Sequence, residues 1–428
     1  MRPIYLDHNA TTPMLPEVWE AMRPALAEAF GNPASAHAAG RAARRLLEDA
    51  RERVAARLGA APDEVTFTSG ATEANNLAVF GLCGENHLTP QPPSLRGKGG
   101  PDDETTARRS SLTPPSLLGK GVGGLGSSPA PHLLASPAEH PCVVEPLTRL
   151  AARGFAVEWL PVSPRGVVTV EAVATRVRPE TRFVSVMLVN HETGAIQPVG
   201  AIATALPAGV VVHTDAAQAV GKMAVDFRAL GVTALAASAH KFGGPKGVGV
   251  LLLRRDTPFR PLMFGGHQQH GRRPGTEPVA LAVGLATALD HAVRHLDANR
   301  AKLHALQSRF FDRLRELASP VVVNGPEPGS PDGLPTTLNV SFPGCRAELL
   351  LMALDLAGVA CAAGAACASG SLLPSPVLRA MGVADEILRA AVRFSFGPTL
   401  DLADIDEAAG RVGGAVERVR LSSCGTGL

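Results

Sequence analysis

Between residues 65 and 255 the chain returns repeatedly to short, strongly apolar runs separated by helical or turn segments. The runs are VTFTS (65–69), HLLAS (132–136), FAVEWLPV (155–162), RFVSVMLVN (182–190), GVVVHTDA (209–216), TALAAS (233–238) and GVGVLLLRR (247–255). Several are apolar without alternation, as expected of strands covered on both faces. Strands and helices in succession leave few options: the strands pair into a mostly parallel sheet, so the expected fold class is α/β. Helical signals fill the gaps, among them EVWEAMRPALAEAF (17–30) and AARRLLEDARERVAARLG (42–59), the latter closed by Gly59.

Past about residue 260 the pattern changes. A long helical segment (279–318) leads to PTTLNVSF, a helix near 346–357, GVACAA, AVRFSFG and a last helix over 401–420. This predicts a smaller α+β domain. The expected division is a segment 1–22 that joins the small domain, a large domain over 23–260 and a small C-terminal domain over 261–428. Residues 84–131 fit neither. They contain LTPQPPSLRGKGG (88–100) and then LTPPSLLGKGVGG (112–124), near-copies rich in Pro, Gly and Ser. A duplicated low-complexity insertion, disordered and exposed to solvent, is expected there.

Composition narrows the function. The net charge is +2, the basic residues are scattered, and aromatics are only 4 %, so no stacking platform for nucleic acid is evident. The cysteines form no CxxC pair and no zinc-ribbon spacing, so no metal site is expected. The start, MRPIYLDHNATTP, lacks the apolar region of a signal peptide. The most apolar long stretch, 347–368, carries Glu348 and Asp355 and is broken by glycines, which makes it poor as a membrane span. A cytoplasmic protein with reduced thiols is the expectation. The stretch GVACAAGAACASGS (358–371) then places Cys361 and Cys367 among small residues. Taken by itself it favours filler, because a free cysteine behaves mostly as a small buried hydrophobe.

Three other features point to chemistry. Only six of the 41 basic residues are lysines, and one of them, Lys241, stands just past TALAAS and before the glycine-rich FGGPKGVG. Strand ends in open α/β sheets are where ligands bind, and a desolvated lysine there can form a Schiff base. Asp215 ends another apolar run, with Gln218 close behind. A carboxylate so placed can pair with a pyridinium nitrogen. Ser69-Gly70-Ala71-Thr72 leads from a strand into a helix start, which offers N–H groups and hydroxyls to an anion. No GxxxxGK[ST] occurs, so a nucleotide P-loop is not indicated. A phosphate cradle, a ring-nitrogen carboxylate and a strand-end lysine together describe a pyridoxal 5'-phosphate site.

The chain resembles the cysteine desulfurases of the class V aminotransferase group, which are fold type I pyridoxal-phosphate enzymes. The matching stretches are YLDHNATTP, FGNPASAHAAGRAAR, FTSGATEANNLA, AEHPCVVEPL, VNHETGAIQPV, HTDAAQAVGK, SAHKFGGPKGVG, GRRPGTEP, GAACASGS and VRFSFG, in that order. They span nearly the whole chain except 84–131. The resemblance implies a large parallel-sheet domain that binds the cofactor and a smaller domain that carries a catalytic cysteine loop. It implies that Lys241 holds pyridoxal phosphate as a Schiff base, that His140 stacks on its ring and helps with proton transfer, and that Asp215 and Gln218 bind its nitrogen and phenolic oxygen. Ala71, Thr72, Ser238 and His240 would bind the phosphate, joined by Thr276 from the second subunit of a homodimer. Asn190 and Arg393 would bind the carboxylate of L-cysteine. Cys367 falls on the catalytic cysteine and would carry the sulfur as a persulfide to an acceptor protein, an iron–sulfur scaffold or a tRNA-modification protein. Departures include His191 in place of the usual second Asn, Gln269 in place of Glu, and a cysteine loop without its usual Ser and Thr. GAAC, RPGTE and PSPVL also resemble the selenocysteine lyases of the same family. A catalytically silent scaffold is the remaining alternative.

Because residues 84–131 lack a core-forming pattern, replacing them with a short Gly/Ser loop is expected to leave turnover and melting temperature nearly unchanged. A loss beyond the roughly 2–4 °C that a 1 kcal/mol change produces in a domain of this size would show that the segment packs.

Overall fold

The apolar runs become strands: β2 (Val65–Thr68), β3 (His132–Ala135), β4 (Ala156–Trp159), β5 (Thr181–Ser185), β6 (Val211–Asp215), β7 (Ala234–Ser238) and β8 (Gly249–Leu253). Three shorter pairings involve β1 (Ile4–Tyr5), β9 (Val322–Val323), β10 (Thr337–Ser341), β11 (Val359–Ala360) and β12 (Ala391–Ser395). The helices are α1 (Pro16–Ala27), α2 (Ala38–Arg57), α3 (Ala71–Cys83), α4 (Pro141–Ala151), α5 (Val170–Ala174), α6 (Val199–Ala205), α7 (Val279–Arg294), α8 (Leu296–Leu317), α9 (Ala347–Leu356), α10 (Pro376–Ala380), α11 (Asp385–Leu388) and α12 (Leu402–Cys424). This computed structural model describes residues 2–83, 129–364 and 374–424. Of the expected insertion only residues 129–131 fall among them, and Pro131 is buried, its carbonyl accepting the Ala156 N–H at 3.0 Å.

β2 to β8 form one seven-stranded sheet in the order β2-β8-β7-β6-β5-β3-β4. The β4-β3-β5-β6-β7 ladder is parallel throughout, and β8 runs antiparallel to both of its neighbours. β2 therefore points the same way as β7, and the C-terminal ends of β2, β3, β5, β6 and β7 all open onto one edge. Both faces are covered, which is why the strands are apolar without alternation. Along β8 the pleat sends Val250 and Leu252 into the core shared with α1, α2 and α7, and sends Leu251 and Leu253 into the core under α3 and α4. On α2, Ala43, Leu47, Ala50 and Val54 are buried at helical spacing.

A second core gathers Leu303, Phe310 and Leu314 of α8 with Leu338 and Val340 of β10 and Val392 and Phe394 of β12. Here β10 pairs antiparallel with β12 and β9. Phe310 meets Phe394 and Phe396 edge-on, with centroids 5.0 and 5.6 Å apart.

The structure moves the expected domain boundary. Residues 279–294 were placed with the C-terminal domain, yet Val279, Ala282, Leu285 and Leu289 of α7 lie in the first core against α1 and α2. Their sequence, VALAVGLATALDHAVR, is apolar almost all round, whereas α8 carries charge on one side. The division between cores thus falls between α7 and α8. The segment 1–22 divides as well. Ile4 and Leu6 join the second core, with β1 parallel to β11, while Val18 and Met22 of α1 join the first.

Between these ends the chain crosses from one core to the other as a strap that turns at residues 8–10, and Asn9 is its most heavily bonded residue. The Asn9 N–H donates to Ser395 Oγ (2.9 Å), and its amide Nδ2 donates to Thr337 Oγ1 (2.8 Å) and to the His191 carbonyl (3.2 Å). Lys222 Nζ donates to its Oδ1 at 3.2 Å. Asn9→Ala removes three side-chain hydrogen bonds and leaves the buried Lys222 short of an acceptor. A loss of about 3 kcal/mol in urea unfolding is expected, with the unfolding midpoint falling and the m-value unchanged.

Candidate active site

The C-terminal ends of the parallel strands and the N-terminus of α3 enclose a cavity of about 560 Å³. The strand ends deliver the functional groups. β6 ends on Asp215, β7 ends on Ser238 and continues through a single 3-10 turn to His240 and Lys241, and the turn after β3 leads to His140. β2 runs through Ser69 and Gly70 into α3, so Ala71 and Thr72 stand at a helix N-terminus on the cavity wall. Gly249 lets this wall close: a Cβ there would lie 2.6 Å from the Gly70 backbone and from the Ala237 carbonyl.

Eight of the residues singled out from sequence line this one cavity: Ala71, Thr72, His140, Asp215, Gln218, Ser238, His240 and Lys241. Lys241 Nζ donates to the carbonyls of Asn9 (2.5 Å) and Ala10 (3.0 Å) in the strap. Gln218 Nε2 donates to the same Asn9 carbonyl (3.0 Å), and Gln218 Oε1 accepts from Lys222 Nζ (2.6 Å). Asp215 Oδ1 accepts the Ala217 N–H (2.9 Å), and its Oδ2 accepts from Asn75 Nδ2 (2.8 Å). Burial, together with the charges of Lys241, Lys222 and Lys246, lowers His240 to about 4. Burial lowers His140 and drives Lys222 well below the ordinary lysine value.

Three expectations land elsewhere, and a fourth lies outside the described residues. Asn190 is fully buried with its amide committed: Nδ2 donates to the Ala138 carbonyl, and Oδ1 accepts from Thr193 and from the Glu192 N–H. It builds the turn after β5 and is not on the cavity wall, whereas the ring of its neighbour His191 is. Arg393, on β12, lies behind His191, 4 % exposed, with Nη2 on Asp7 Oδ1 (2.7 Å), Nη1 on the His191 carbonyl (3.1 Å) and Nε unpartnered. Thr276 is exposed on a separate groove beside Leu26 and Phe30, facing away from the cavity of its own chain. Cys367 lies outside the described residues.

Sequence reasoning missed Asn75, Cys142, His191, Lys246 and the strap residues Ala10 and Thr11. Asn75 and Cys142 lie on helices among apolar neighbours, where nothing in the sequence separates a polar ligand from core packing. For Lys246 the signal was present, since it shares the glycine-rich stretch that follows Lys241.

The donors fit pyridoxal phosphate. A helix N-terminus, the Ser238 hydroxyl, His240 and Lys246 suit a phosphate, Asp215 suits a protonated ring nitrogen, and Lys241 suits a carbonyl carbon.

The sequence model of the family "Aminotransferase class-V" matches residues 4–91 and 122–407. The unmatched stretch between them falls inside the expected insertion. The chain is 40 % identical to an "IscS-like cysteine desulfurase" of Mycobacterium tuberculosis, over 98 % of each protein. It is 36 % identical to a "Cysteine desulfurase IscS" of Dictyoglomus turgidum, over 99 % of this chain and 96 % of that one. Among solved structures it resembles a "NIFS-LIKE PROTEIN" with a TM-score of 0.82 and 31 % identity, covering 97 % of this chain and 100 % of the other.

Glu192 gives this region a pH signature. Its carboxyl is 1 % exposed, accepts the Ser375 hydroxyl at 2.5 Å, lies 3.7 Å from His191 Nε2 and packs directly on Gly364. Burial raises it to about 7, against the opposing influence of Ser375 and Arg393. The folded chain therefore keeps this proton between about 4.5 and 7 while the unfolded chain has lost it, so the protonated carboxyl's stability advantage is lost as pH rises through that window. Glu192→Gln removes the effect. The stability of the variant relative to the parent should increase by up to about 3 kcal/mol between pH 5 and pH 8 in chemical unfolding. A difference independent of pH would show that the carboxyl ionises normally.

Proposed function

The chain belongs to the aminotransferase class-V family, and on that premise we propose that it is a pyridoxal-phosphate-dependent cysteine desulfurase that converts L-cysteine to L-alanine. The observation that carries this is the convergence of Lys241, Asp215, His140 and an anion cradle on one cavity at the strand ends. A solved relative with a TM-score of 0.73 and 29 % identity, covering 92 % of this chain and 99 % of its own, is described as "SspA in complex with cysteine".

Bound in the cavity, pyridoxal phosphate supplies the electron sink for the negative charge that develops at the substrate Cα. The protein does the rest. The N-terminus of α3, Ser238 and His240 would hold the phosphate, Asp215 would keep the ring nitrogen protonated, Gln218 would serve the phenolic oxygen, and His140 would serve the ring and proton transfer. The Lys241 amine takes the Cα proton. Arg393 is the residue assigned to the substrate carboxylate: its Nε has no protein partner, and its Nη1 and Nη2 would have to leave the His191 carbonyl and Asp7 to present the full fork. The Cys367 thiolate attacks the substrate sulfur, and the Cβ–S bond breaks. The bonding pair stays with carbon and is protonated, alanine leaves, and Cys367 keeps the sulfur as a persulfide.

Four of the other cysteines support this choice of nucleophile. Burial pushes the thiols of Cys83, Cys142, Cys345 and Cys361 up, which holds them protonated. The working unit is a homodimer in which Thr276 completes the phosphate site of the other subunit. Thr276 lies beside Phe30, which is 79 % exposed, on a face that also carries the exposed Leu26. The sulfur passes to an acceptor protein for iron–sulfur cluster assembly or tRNA modification, and the protein acts in the cytoplasm.

The test is product analysis: alanine and sulfide from L-cysteine with a reductant present. Lys241→Ala is expected to lose both the visible absorbance of the bound cofactor and turnover. Cys367→Ala is expected to keep the absorbance and lose alanine formation. Mass spectrometry of the parent protein with cysteine should find one added sulfur on the Cys367 peptide. That sulfur on Cys361 or Cys424, with Cys367→Ala still active, would overturn the assignment of the nucleophile.

A further inference from the structure

His140 is the N-cap of α4, and its Nδ1 accepts the backbone N–H of Cys142 at 3.2 Å. A ring nitrogen that accepts a hydrogen bond carries no proton, so the neutral imidazole bears its proton on Nε2. The Cys142 side chain adds to this, with Sγ 2.9 Å from the same Nδ1. Behind Cys142 the hydrogen bonds continue with a consistent polarity. Asn75 Nδ2 donates to Cys142 Sγ (3.1 Å) and to Asp215 Oδ2 (2.8 Å), and Asn75 Oδ1 faces His213 Nε2 (3.0 Å). His213 Nδ1 faces Ser185 Oγ at 2.9 Å.

Every proton in this chain can be placed. Asn75 uses both amide hydrogens as donors, so its Oδ1 must accept, which puts the His213 proton on Nε2 and lets the Ser185 hydroxyl donate to Nδ1. His213 stays neutral, lowered to about 3 by burial. The Cys142 thiol is held protonated by burial and by the Asp215 carboxylate, so its S–H donates to His140 while its sulfur accepts from Asn75. Asn75, His213 and Ser185 are fully buried and Cys142 is 8 % exposed, so water does not compete for these bonds.

We propose that Cys142 is a positioning residue for the reaction: with Asn75 it joins the His140 imidazole to the Asp215 carboxylate and fixes His140 as the tautomer protonated at Nε2. The two groups assigned to the face and the nitrogen of the cofactor ring are then oriented as one unit. This rests on the assignment of His140 and Asp215 to pyridoxal phosphate.

The test begins with the full-length parent protein, its histidines labelled with 15N and His140 assigned through its loss in His140→Asn. Long-range 1H–15N spectra without the cofactor should show His140 Nδ1 bare and Nε2 protonated. Protonation at Nδ1 would overturn the proposal, and this readout does not depend on desulfurase activity. Two variants follow, examined as holoenzymes. Cys142→Ser keeps a donor and is expected to retain the tautomer, the pH at which the cofactor band shifts, and kcat within about twofold. Cys142→Ala leaves only the backbone donor. It should give a mixture of tautomers, a displaced band midpoint and a kcat lowered about three- to tenfold, in keeping with the loss of one or two hydrogen bonds. Parental behaviour of Cys142→Ala in all three readouts, or equal losses in both variants, would reduce Cys142 to packing. Normal tautomers in a parent protein that forms no alanine from cysteine would instead sink the functional assignment and leave the network standing.

Discussion

The whole site depends on how one short irregular segment is satisfied. Leu6 to Thr12 belongs to no large sheet, so its buried carbonyls need donors from elsewhere. The Asn9 carbonyl takes two, from Lys241 Nζ and Gln218 Nε2, and the Ala10 carbonyl takes Lys241 as well. On the other side the Ser395 N–H donates to the Leu6 carbonyl at 2.7 Å, and Ser395 Oγ receives the Asn9 N–H. Further along, the Thr12 N–H and hydroxyl both donate to the His240 carbonyl, at 2.9 and 2.8 Å. The strap is thus bonded simultaneously to the turn after β7 and to β12. Neither core can shift against the other without breaking bonds whose alternative is an unpaired polar group away from water. The reactive lysine is held by this junction, so the precision of the site follows from the packing of two cores that are far apart in sequence.

That arrangement explains which parts were legible in the sequence. The strands declared themselves because burial on both faces leaves a run of apolar residues with no competing interpretation, and Asp215 and Lys241 stood out because a charge at the end of such a run requires a reason. The fold class followed from the same runs. The boundary between cores was misplaced because α7 and α8 are separated by His295 alone, with no Pro or Gly to mark the change from a helix buried all round to one with a polar face. Asn190 was assigned to substrate through the family motif, yet the turn that starts there uses both ends of its amide. The strap, Asn75 and Cys142 were illegible for a different reason. Their importance comes from partners as far away as Ser395 for Asn9 and Asp215 for Asn75, and periodicity carries no information about contacts of that kind.

The charge of the cavity shows what it is built to receive. Among its described lining residues Asp215 is the only carboxylate, set against Lys241, Lys246 and the imidazoles of His140, His191 and His240. That imbalance disfavours protonated imidazoles. Burial, reinforced by neighbouring positive groups, keeps His240 and His191 neutral. The excess positive character is thereby concentrated in lysines and in the helix N-terminus, while the histidines are left as neutral hydrogen-bonding groups. A phosphate entering this cradle meets donors that are already desolvated, so little reorganisation opposes binding. His240 is held to about 4 by burial first and by the neighbouring lysines second; a bound phosphate's negative charge opposes the second influence, so binding favours proton uptake there. The same field disfavours a cation and favours an anionic group such as a phosphate ester.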